Sequence, residues 1–546
     1  MELQFLFKKT YIFFHAAIKS RHLKIIGIMM RGYRILKKSS RLPRIRLLTQ
    51  SLINQQLTHC PNPFFLIKEN ETSVNEIVIR QYLHHRLVGE KLNLILLRSL
   101  ANNHKVVYPL PIEWRKKLEE HGFSVGRYRT AVLWQMYILC MWLVGVYRLC
   151  KLFVKNLTII DDNDYSQDYV FFASLSPSNI SKNDVEISQF NIVTWWIQWS
   201  RNKGQIKSLF HTVSNRPAFI LDNIKVQPVP HFLPKLKGVS LNAKYILRAS
   251  YITLKAFINY IFGSWYNAFM LNQYADLIHA QLVNPKELAK EYFFHNSDWK
   301  YRPLWTYDVE NNGAKVFMYF YSTNCEALKH KKNDGSYNIN LYKGMTWSNY
   351  LVWDDYQAQF LLKSLDNNAK CEVAGPIWFS DSEKEVPQIP DNSVMIFDVE
   401  PFRTSVYQSY CFDIEYYVSD IAKQFILDIY DVLSSHDLNM VLKRKRHIGN
   451  KSSKSYTKIL DDLEKQDNFI TVDPEISAFR LIKTNTNLVI SMPYTSTAQI
   501  AKSYGLLSIY YDPSGLLLKD DSISHGVPLI SGKDELITWF QNYLKV

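Results

Sequence analysis

Three segments of this sequence carry residue types that bind phosphate or move protons. One of them, LVISMPYTSTAQIAKSYG at 488–505, contains three consecutive hydroxyl side chains, Thr495, Ser496 and Thr497. These hydroxyls follow a predicted strand and begin a predicted helix, in which Ser496 and Gln499 have the spacing of a capping box. Free backbone N–H groups, the helix dipole and the hydroxyls together favour a diphosphate or a nucleotide phosphate. An ordinary capped helix would use the same residues.

The second segment, MVLKRKRH at 440–447, is an apolar strand that runs directly into cationic side chains. Cations at the carboxyl end of a strand could neutralise the phosphate of a nucleotide donor and stabilise the nucleotide as it leaves. No acidic DxD-type pair stands in the expected position, so the cations would replace a metal ion in that role. The candidate donor ligands are Lys443, Lys445 and Arg446, and the alternative is a solvated basic turn.

The third segment, VFMYFYSTNCEAL at 316–328, has Glu326 in the first turn of a predicted helix, just after a buried strand. A carboxylate there could take the proton from an acceptor hydroxyl, as a general base does. Asp334, in an Asn-Asp-Gly turn, competes for the role, and Glu326 could instead be only a favourable first-turn acid. The candidate base is therefore Glu326 or Asp334, and Asp354 and Asp355 are further carboxylates near a strand end.

Strand and helix patterns alternate in two series along the chain, which predicts two domains built on parallel sheets. The predicted strands are 169–173, 316–321, 350–353, 371–374, 393–399, 439–443, 469–472, 488–491 and 508–511. Open parallel sheets bind ligands beyond the carboxyl ends of their strands, where all three segments lie. The expected fold is α/β, with two Rossmann-like domains in a GT-B arrangement. The acceptor domain would be 165–375 and the nucleotide-donor domain 376–546.

Length and composition limit the class of protein. The chain has 546 residues and a mass of 64.2 kDa, too long for one core at roughly 100 to 200 residues per domain. With 47% hydrophobic and 21% charged residues, it is neither disordered nor collagen-like, and it is not a polytopic membrane bundle. Its six cysteines form no CxxC pair, which argues against a zinc ribbon or a disulfide scaffold and fits a reducing compartment.

The positive charge is concentrated at the start of the chain. Residues 1–50 contain twelve Lys or Arg against Glu2 alone, a net charge of +11, whereas the other 496 residues carry +4. Aromatic and aliphatic residues alternate with these cations, as in a segment attracted to anionic lipid. Nucleic acid would attract the same charge, and a solvated basic tail is the third alternative. The arm lacks the uninterrupted apolar run and cleavage site of a signal peptide.

A second apolar stretch, Thr130 to Tyr147, has eighteen residues without a charge and cationic flanks on both sides. This length is at the lower limit for crossing a bilayer. The stretch predicts a helix that lies in one leaflet, spans the bilayer or is buried in a core. We therefore expect residues 1–160 to form a basic, aromatic-rich helical extension that associates with a membrane. The stretch Tyr251 to Leu271 predicts an amphipathic helix on a globular domain.

Several of these segments together resemble a family of bacterial surface-polysaccharide biosynthesis proteins. The similar segments are YSTNCEAL, WSNYLVWDDYQAQFL, VAGPIWFS, VLKRKR and the stretch from FITVDPEIS to AKSYG, within roughly Tyr165 to Tyr511. The family is distantly similar to CDP-glycerol glycerophosphotransferases and to transferases that use CMP-activated ulosonic acids such as Kdo and sialic acid. The resemblance implies that Thr495 to Thr497 hold the nucleotide phosphate and that Gly375 forms the turn opening the donor domain. The family's His-Pro pair is absent here, and Lys445-Arg446-His447 occupies the comparable strand end.

These features predict a metal-independent, inverting glycosyltransferase without a cofactor. It would move a sugar from a nucleotide-sugar donor, with a CMP-sugar favoured, to a lipid-linked glycan during synthesis of O-antigen, lipopolysaccharide or another bacterial surface polysaccharide. It would act at the cytoplasmic face of the inner membrane as a peripheral or monotopic protein on anionic lipid, with no nucleic acid partner.

Two other functions fit the same sequence. One is a CDP-polyol phosphotransferase of the glycerophosphotransferase type, which would use the same architecture and leave phosphorus in its product. The other is a non-enzymatic envelope-assembly or nucleic-acid-binding protein, which the basic arm alone would favour.

Overall fold

The structure is a computed structural model of the chain. It describes residues 42–57, 72–159, 161, 163–165, 168–180, 191–200, 204–296, 301–323, 331, 342, 344–365, 369–378, 384–399, 401–402, 416–447, 449, 452–485 and 488–544. Most of the basic arm predicted at 1–50 therefore lies outside the described residues.

The larger sheet has eight strands in the described part of the chain. They are β1 Tyr169–Phe172, β2 Ser208–His211, β3 Phe219–Leu221, β4 Ile224–Pro228, β5 Glu291–His295, β6 Lys315–Tyr319, β7 Asn349–Val352 and β8 Lys370–Val373. Their order is β3-β4-β2-β1-β5-β6-β7-β8, and only β3 runs antiparallel to its neighbour. The run β4-β2-β1-β5-β6-β7 has the 3-2-1-4-5-6 order of a doubly wound sheet, which reverses between β1 and β5.

Helices cover both faces of this sheet, so its strands are apolar on both sides. The helices are α1 Leu42–Ser51, α2 Thr72–Leu87, α3 Glu90–Asn102, α4 Ile112–Glu120, α5 Arg127–Thr158, α6 Ile192–Trp199, α7 Val239–Ile261, α8 Tyr266–Leu282, α9 Trp305–Asn311 and α10 Asp355–Ser364. Trp195 and Trp196 of α6 pack with Phe293 of β5 on one face, while α8 and α9 pack with Phe294 on the other.

The helices that precede the first strand belong to the core of the first domain. Leu83 of α2, Leu96 of α3, Trp114 of α4 and Ile138 of α5 are fully buried in the same apolar cluster as Tyr292 of β5. Residues 72–158 therefore form part of one folded unit with the first sheet.

The second sheet has six described strands, all parallel. They are β9 Ser393–Phe397, β10 Asn439–Lys443, β11 Phe469–Val472, β12 Leu488–Ser491, β13 Leu507–Asp512 and β14 Leu529–Ser531. The order β11-β10-β9-β12-β13-β14 is again 3-2-1-4-5-6, with the reversal between β9 and β12. The helices are α11 Ser419–Ser434, α12 Lys454–Leu463, α13 Ala478–Asn485, α14 Ser496–Ser503, α15 Asp521–Ser524 and α16 Lys533–Tyr543.

The predicted fold class is confirmed, because two sheets of doubly wound order follow one another along the chain. The two domains also share a buried apolar contact. The Trp353 ring, which follows β7 of the first sheet, lies 6.2 Å from the Phe479 ring of α13. The Trp378 ring, near the start of the second domain, lies 5.7 Å from the same Phe479 ring. The contact between Trp353 and Phe479 joins the domains beside the carboxyl ends of their strands.

The sequence predicted the second sheet more closely than the first. Strands β10, β11 and β12 begin and end where they were predicted. The single amphipathic helix predicted at 251–271 is wrong, because the chain turns between α7 and α8. Gly263 adopts a φ of +90° at that turn, a conformation that side chains disfavour.

Helix α5 contains the uncharged stretch at 130–147. By length and composition it is long and apolar enough to cross a membrane, and among the described residues it is the one helix that meets this test. One face of α5 is nevertheless buried against the protein along the whole helix, from Thr130 through Ile138 and Leu149 to Asn156.

Helix α5 crosses α8 closely at Gly145, and this contact gives a stability prediction. A Cβ atom on Gly145 would lie 2.5 Å from Cβ of Leu271 and 2.9 Å from the backbone nitrogen of Asn272. We expect Gly145→Ala to destabilise the protein by about 1–3 kcal/mol through overpacking. Thermal unfolding measures the effect, and Gly204→Ala is the control because its Cβ meets no atom within 4 Å. An unchanged midpoint for Gly145→Ala would contradict the close crossing.

Candidate functional site

The point where the strand order of the second sheet reverses is the natural place for a ligand. Doubly wound sheets bind ligands in the crevice beyond the carboxyl ends of the strands at this reversal. In this sheet the reversal lies between β9 and β12. The residues that follow these two strands are Asp398 and the hydroxyl-rich turn at 492–497.

The cationic segment after β10 lies at the same edge as the hydroxyl-rich turn. Strand β9 pairs with β10 on one side and with β12 on the other, so Lys443, Phe397 and Ser491 form one row across the sheet. Two strand spacings separate Lys443 from Ser491, a backbone distance of about 10 Å. The two predicted phosphate-binding segments therefore begin side by side at the carboxyl ends of β10 and β12. Asp398, which follows the strand between them, lies in the middle.

The hydroxyl-rich turn is held by its own side chains. Thr497 Oγ1 lies 2.8 Å from Ser491 Oγ and 3.2 Å from Thr495 Oγ1. Thr495 Oγ1 donates to the Met492 carbonyl at 2.8 Å, and Tyr510 donates its hydroxyl to the Thr495 carbonyl at 2.7 Å. These bonds fix the turn in front of α14 and leave Thr495, Ser496 and Thr497 half-buried.

The predicted capping box is wrong. Thr495, and not Ser496, is the N-cap of α14, and its side chain makes no capping hydrogen bond. The Gln499 amide instead donates to the Tyr510 hydroxyl at 3.1 Å, because Gln499 faces the buried side of the helix. Within the described residues, no side chain accepts a hydrogen bond from the first backbone N–H groups of α14. These N–H groups and the helix dipole point toward the edge where a phosphate would bind.

Lys443 is the most enclosed of the predicted donor ligands. Its side chain is 8% exposed, and its ammonium donates to the Pro474 carbonyl at 3.1 Å and to the Arg444 carbonyl at 3.3 Å. Burial lowers the pKa of Lys443 to about 8, although the negative charges of Asp398 and Asp473 oppose this change. The structure thus gives Lys443 a packing role in the loop after β11 as well as a position at the ligand edge.

The lowered pKa of Lys443 predicts a pH-dependent stability. Because the folded protein disfavours the charged form, the cost is present below pH 8 and disappears as the pH rises from 8 toward 10.5. Thermal unfolding from pH 7.5 to 10 should therefore show wild type gaining up to about 3 kcal/mol relative to Lys443→Met. The exposed Lys454→Met is the matched control, and a constant difference between wild type and Lys443→Met would contradict the prediction.

Lys445 and Arg446 remain open to solvent at the same edge. The pKa of Lys445 is lowered, first because protein atoms surround the side chain and second because Arg446 is also positive, while Asp398 opposes the change. Asp398 itself is buried and accepts a hydrogen bond from Tyr456.

The carboxyl edge of the first sheet contacts the hydroxyl-rich turn directly. Ser496 Oγ accepts a hydrogen bond of 3.3 Å from the Thr323 backbone and lies 3.4 Å from Thr323 Oγ1. Lys331 donates through its backbone to the Leu516 carbonyl at 2.9 Å and through its ammonium to the Gly515 carbonyl at 2.7 Å. The segment after β6 therefore touches the second domain at two described points.

The two candidate bases, Glu326 and Asp334, lie outside the described residues. Along the chain, Glu326 follows Thr323 by three residues, and Asp334 follows Lys331 by three. Each is thus close in sequence to a described contact between the domains.

Asp354, another carboxylate considered as a base, has a structural role. Its Oδ1 accepts a hydrogen bond of 2.9 Å from the Gln357 backbone and so caps α10. Its Oδ2 lies 2.7 Å from Nδ1 of His525, which belongs to the second domain. This contact holds the domains together beside the cleft.

Among the described residues, one group of His, Asp and Glu side chains lies close enough together to hold a metal ion. The ligand atoms of His447, Asp473 and Glu475 all lie within 4.8 Å of one another. The ammonium of Lys384, however, binds Asp473 and lies 2.9 Å from Glu475, so a cation already offsets one of the two negative charges. Lys384 also lowers the pKa values of both Asp473 and Glu475 through its hydrogen bonds to them.

Gly375 lies two residues after the end of β8, with a φ of +71° that suits glycine. This backbone conformation explains why the turn between the domains contains a glycine.

Sequence reasoning missed two acidic residues that shape the site. Asp398 directly follows β9 at the reversal point, whereas the strand predicted at 393–399 includes it. Asp512 is fully buried at the end of β13 and accepts hydrogen bonds from Tyr416, the Ser514 backbone and the Leu517 backbone. It shapes the loop that Lys331 contacts, and the Asp-Pro-Ser-Gly turn could have revealed it.

Several solved structures resemble this chain loosely. A UDP-GlcNAc 2-epimerase from Methanocaldococcus jannaschii is 12% identical, with a TM-score of 0.38 over 69% of this chain and 92% of that one. A variant of the wall teichoic acid polymerase TagF is 11% identical, with a TM-score of 0.33 over 76% and 89%. The lipopolysaccharide outer core galactosyltransferase WaaB is 8% identical, with a TM-score of 0.33 over 69% and 90%. Such low scores carry no information about the chemistry of this chain.

No curated protein matches the chain. A family model described as polysaccharide biosynthesis PFTS motif protein matches residues 252–540. The match covers more than half of the chain and includes the whole second sheet and the carboxyl edge of the first from β5 to β8. The chain therefore belongs to the polysaccharide biosynthesis PFTS motif protein family.

Proposed function

We propose that this protein is a glycosyltransferase that moves a sugar from a nucleotide-sugar donor to a lipid-linked glycan in bacterial surface polysaccharide synthesis. The observation that carries the proposal is that both predicted phosphate-binding segments lie at the carboxyl ends of strands in the second sheet. There the uncapped start of α14, the hydroxyls of Thr495 and Thr497 and the cations Lys445 and Arg446 lie around one reversal point. Such an edge suits the phosphate of a leaving nucleotide.

The proposed reaction is a single displacement. A carboxylate takes the proton from an acceptor hydroxyl, and the acceptor oxygen forms a bond to the anomeric carbon of the donor sugar. The bond from that carbon to the donor phosphate oxygen breaks, and its electron pair leaves with the nucleotide. Backbone N–H groups of α14 and the charges of Lys445 and Arg446 stabilise the leaving phosphate. One displacement inverts the anomeric configuration.

The base in this proposal is Glu326 or Asp334. Three residues span at most about 11 Å, so a carboxylate at either position is within reach of the edge where Thr323 or Lys331 contacts the second domain. The donor is proposed to be a CMP-sugar on the strength of the hydroxyl-rich turn. Metal independence is proposed because cations stand at the strand end where a metal would otherwise neutralise the phosphate.

The test uses the purified full chain in EDTA. We expect CMP, among CMP, CDP, UDP and GDP, to raise the unfolding temperature most, with about 2.7 kcal/mol of stabilisation at one hundred times its dissociation constant. A CMP-sugar and a lipid-linked acceptor should then release CMP, and omission of the acceptor is the control. Absence of stabilisation by all four nucleotides would contradict the donor site, and strict Mg²⁺ dependence would remove the proposed role of the cations.

Phosphorus in the product separates the proposal from the CDP-polyol alternative. A glycosyl transfer leaves an acceptor that gains no phosphate, whereas a polyol phosphate transfer forms a phosphodiester. The ³¹P spectrum of the purified product therefore identifies the reaction.

A further inference from the structure

Helices α5 and α7 lie side by side and run in opposite directions. The Tyr260 hydroxyl donates to the Gln135 carbonyl at 3.0 Å, and the Trp142 indole donates to the Thr253 carbonyl at 3.2 Å. The Tyr245 hydroxyl approaches the Leu149 carbonyl at 3.4 Å. As residue numbers increase along α5, the residue numbers of its partners on α7 decrease, so the helices are antiparallel. Their solvent-facing sides therefore form one continuous surface.

This surface is apolar. Of the 25 large apolar side chains that are exposed in the described part of the chain, ten lie on α5 and seven on α7. The most exposed include Tyr128 and Met136 on α5 and Leu247 and Leu254 on α7. Soluble monomers rarely expose a contiguous apolar patch built from so many side chains, and such patches mark sites of interaction with a protein or a membrane.

The charges on the two helices identify the partner. Neither α5 nor α7 contains an Asp or Glu, whereas together they contain eight Lys or Arg. Lys244, Arg248 and Lys255 are exposed at spacings of four and seven residues, which places them in one row along α7. Arg129 and Lys151 are exposed near the two ends of α5. A cationic border around an apolar face is complementary to anionic lipid headgroups above an acyl layer.

Both ends of α5 are tied to the same folded domain, which opposes a membrane-spanning orientation. Near its start, the Thr130 hydroxyl donates to the Val106 carbonyl at 3.3 Å, and near its end Asn156 accepts from the Leu236 backbone at 3.5 Å. Between them Arg148 forms an ion pair of 2.6 Å with the buried Asp276. A helix that crossed the bilayer would carry these polar contacts into the hydrocarbon region.

We propose that α5 and α7 together form a monotopic membrane face, with both helices parallel to the plane of an anionic bilayer. The exposed apolar side chains enter the upper acyl region, and the row on α7 contacts phosphate headgroups. The proposed membrane face depends on neither the donor site nor the basic arm. An experiment that rejects the membrane face would therefore not reject the proposed function.

Cys140 and Cys150 provide a direct probe, because both thiols are exposed on α5 while Cys371 lies half-buried on β8. The full chain is treated with a water-soluble alkylating reagent, and modification at each cysteine is measured by mass spectrometry. With vesicles of phosphatidylglycerol and phosphatidylethanolamine, modification of Cys140 and Cys150 should slow at least tenfold, and Cys371 should be unaffected. Pure phosphatidylcholine vesicles should protect much less. Vesicle-bound protein with unprotected α5 thiols would overturn the proposal, because the basic arm alone would then hold the protein.

Variants on α7 test whether the two helices act as one face. Leu247 and Leu254 are 70% and 62% exposed, so Leu247→Asp with Leu254→Asp should fold normally and lose at least tenfold of the vesicle protection on α5. Ile220→Asp, at a 63% exposed position on β3, is the matched control and should behave as wild type. Full protection in the α7 variant would overturn the shared face. Protection that rises with protein concentration without vesicles would overturn it in favour of a second copy of the chain.

Discussion

Removal of the general base should lower kcat by about 10²- to 10⁴-fold while nucleotide affinity stays within roughly twofold. One of two variants, Glu326→Gln or Asp334→Asn, should have this effect, because one of these two residues is proposed to be the base. The amide keeps the size of the side chain but cannot take the proton from the acceptor hydroxyl, so the chemical step slows while donor binding remains. Initial rates at saturating donor and acceptor measure the effect, and a nucleotide titration by thermal shift measures affinity.

The matched control for the base is Glu372→Gln, which makes the same chemical change at an exposed position on β8. Its rate should equal that of wild type. The variant that lacks the base should also lose the acidic limb of the pH profile for kcat/KM, which a merely structural residue would retain. If both Glu326→Gln and Asp334→Asn keep more than a tenth of the activity, neither carboxylate is the base.

Removing both exposed cations after β10 should weaken nucleotide binding by about a hundredfold. Lys445→Ala with Arg446→Ala deletes two charge-assisted contacts to phosphate, each worth roughly 1.5–3 kcal/mol. We place the expected loss at the low end because both side chains are open to solvent. Isothermal titration with CMP measures the change, and the loss should shrink as salt is added.

Charge alone could weaken binding of any anion, so the control removes two cations elsewhere in the second domain. Lys458→Ala with Lys465→Ala changes the net charge equally, and both residues are exposed along or just after α12. Helix α12 leads away from the carboxyl ends of the strands, with Lys458 midway along it and Lys465 just after its last residue. Equal losses of affinity in the two double variants would contradict a specific role for Lys445 and Arg446.

The sequence predicted the second domain well because its strands are short apolar runs between clear turns. Strands β10, β11 and β12 were predicted at their observed bounds, and their parallel pairing brings the ends of β10 and β12 to one edge. Register across a central strand is not visible in a sequence. The alignment of Lys443, Phe397 and Ser491 across the sheet is therefore visible only in the structure.

The first domain was harder to predict because its order depends on contacts between distant segments. Strand β5, at the centre of the first sheet, is a five-residue run that was not recognised, although Tyr292 to Phe294 are continuously apolar. The turn at Gly263 separates α7 from α8 and lets α7 lie beside α5. The exposed surface of α5 and α7 exists only through this packing, since each helix alone resembles an ordinary amphipathic helix.

Side-chain roles at the site were predicted in part. The sequence identified the hydroxyls and cations at the strand ends, but it could not show that Ser496 faces Thr323 or that Lys443 is enclosed by carbonyl groups. The error at the start of α14 has a local cause. Thr495, Ser496 and Thr497 can each cap a helix, and hydrogen bonds to Met492, Ser491 and Tyr510 decide which residue does so.

The most direct test of the central claim is a crystal structure of the full chain with CMP bound. The account predicts that the phosphate lies at the reversal point of the second sheet, within hydrogen-bonding distance of the first N–H groups of α14 and of Lys445 or Arg446. A nucleotide phosphate bound away from that edge, or touching only one of the two segments, would contradict it.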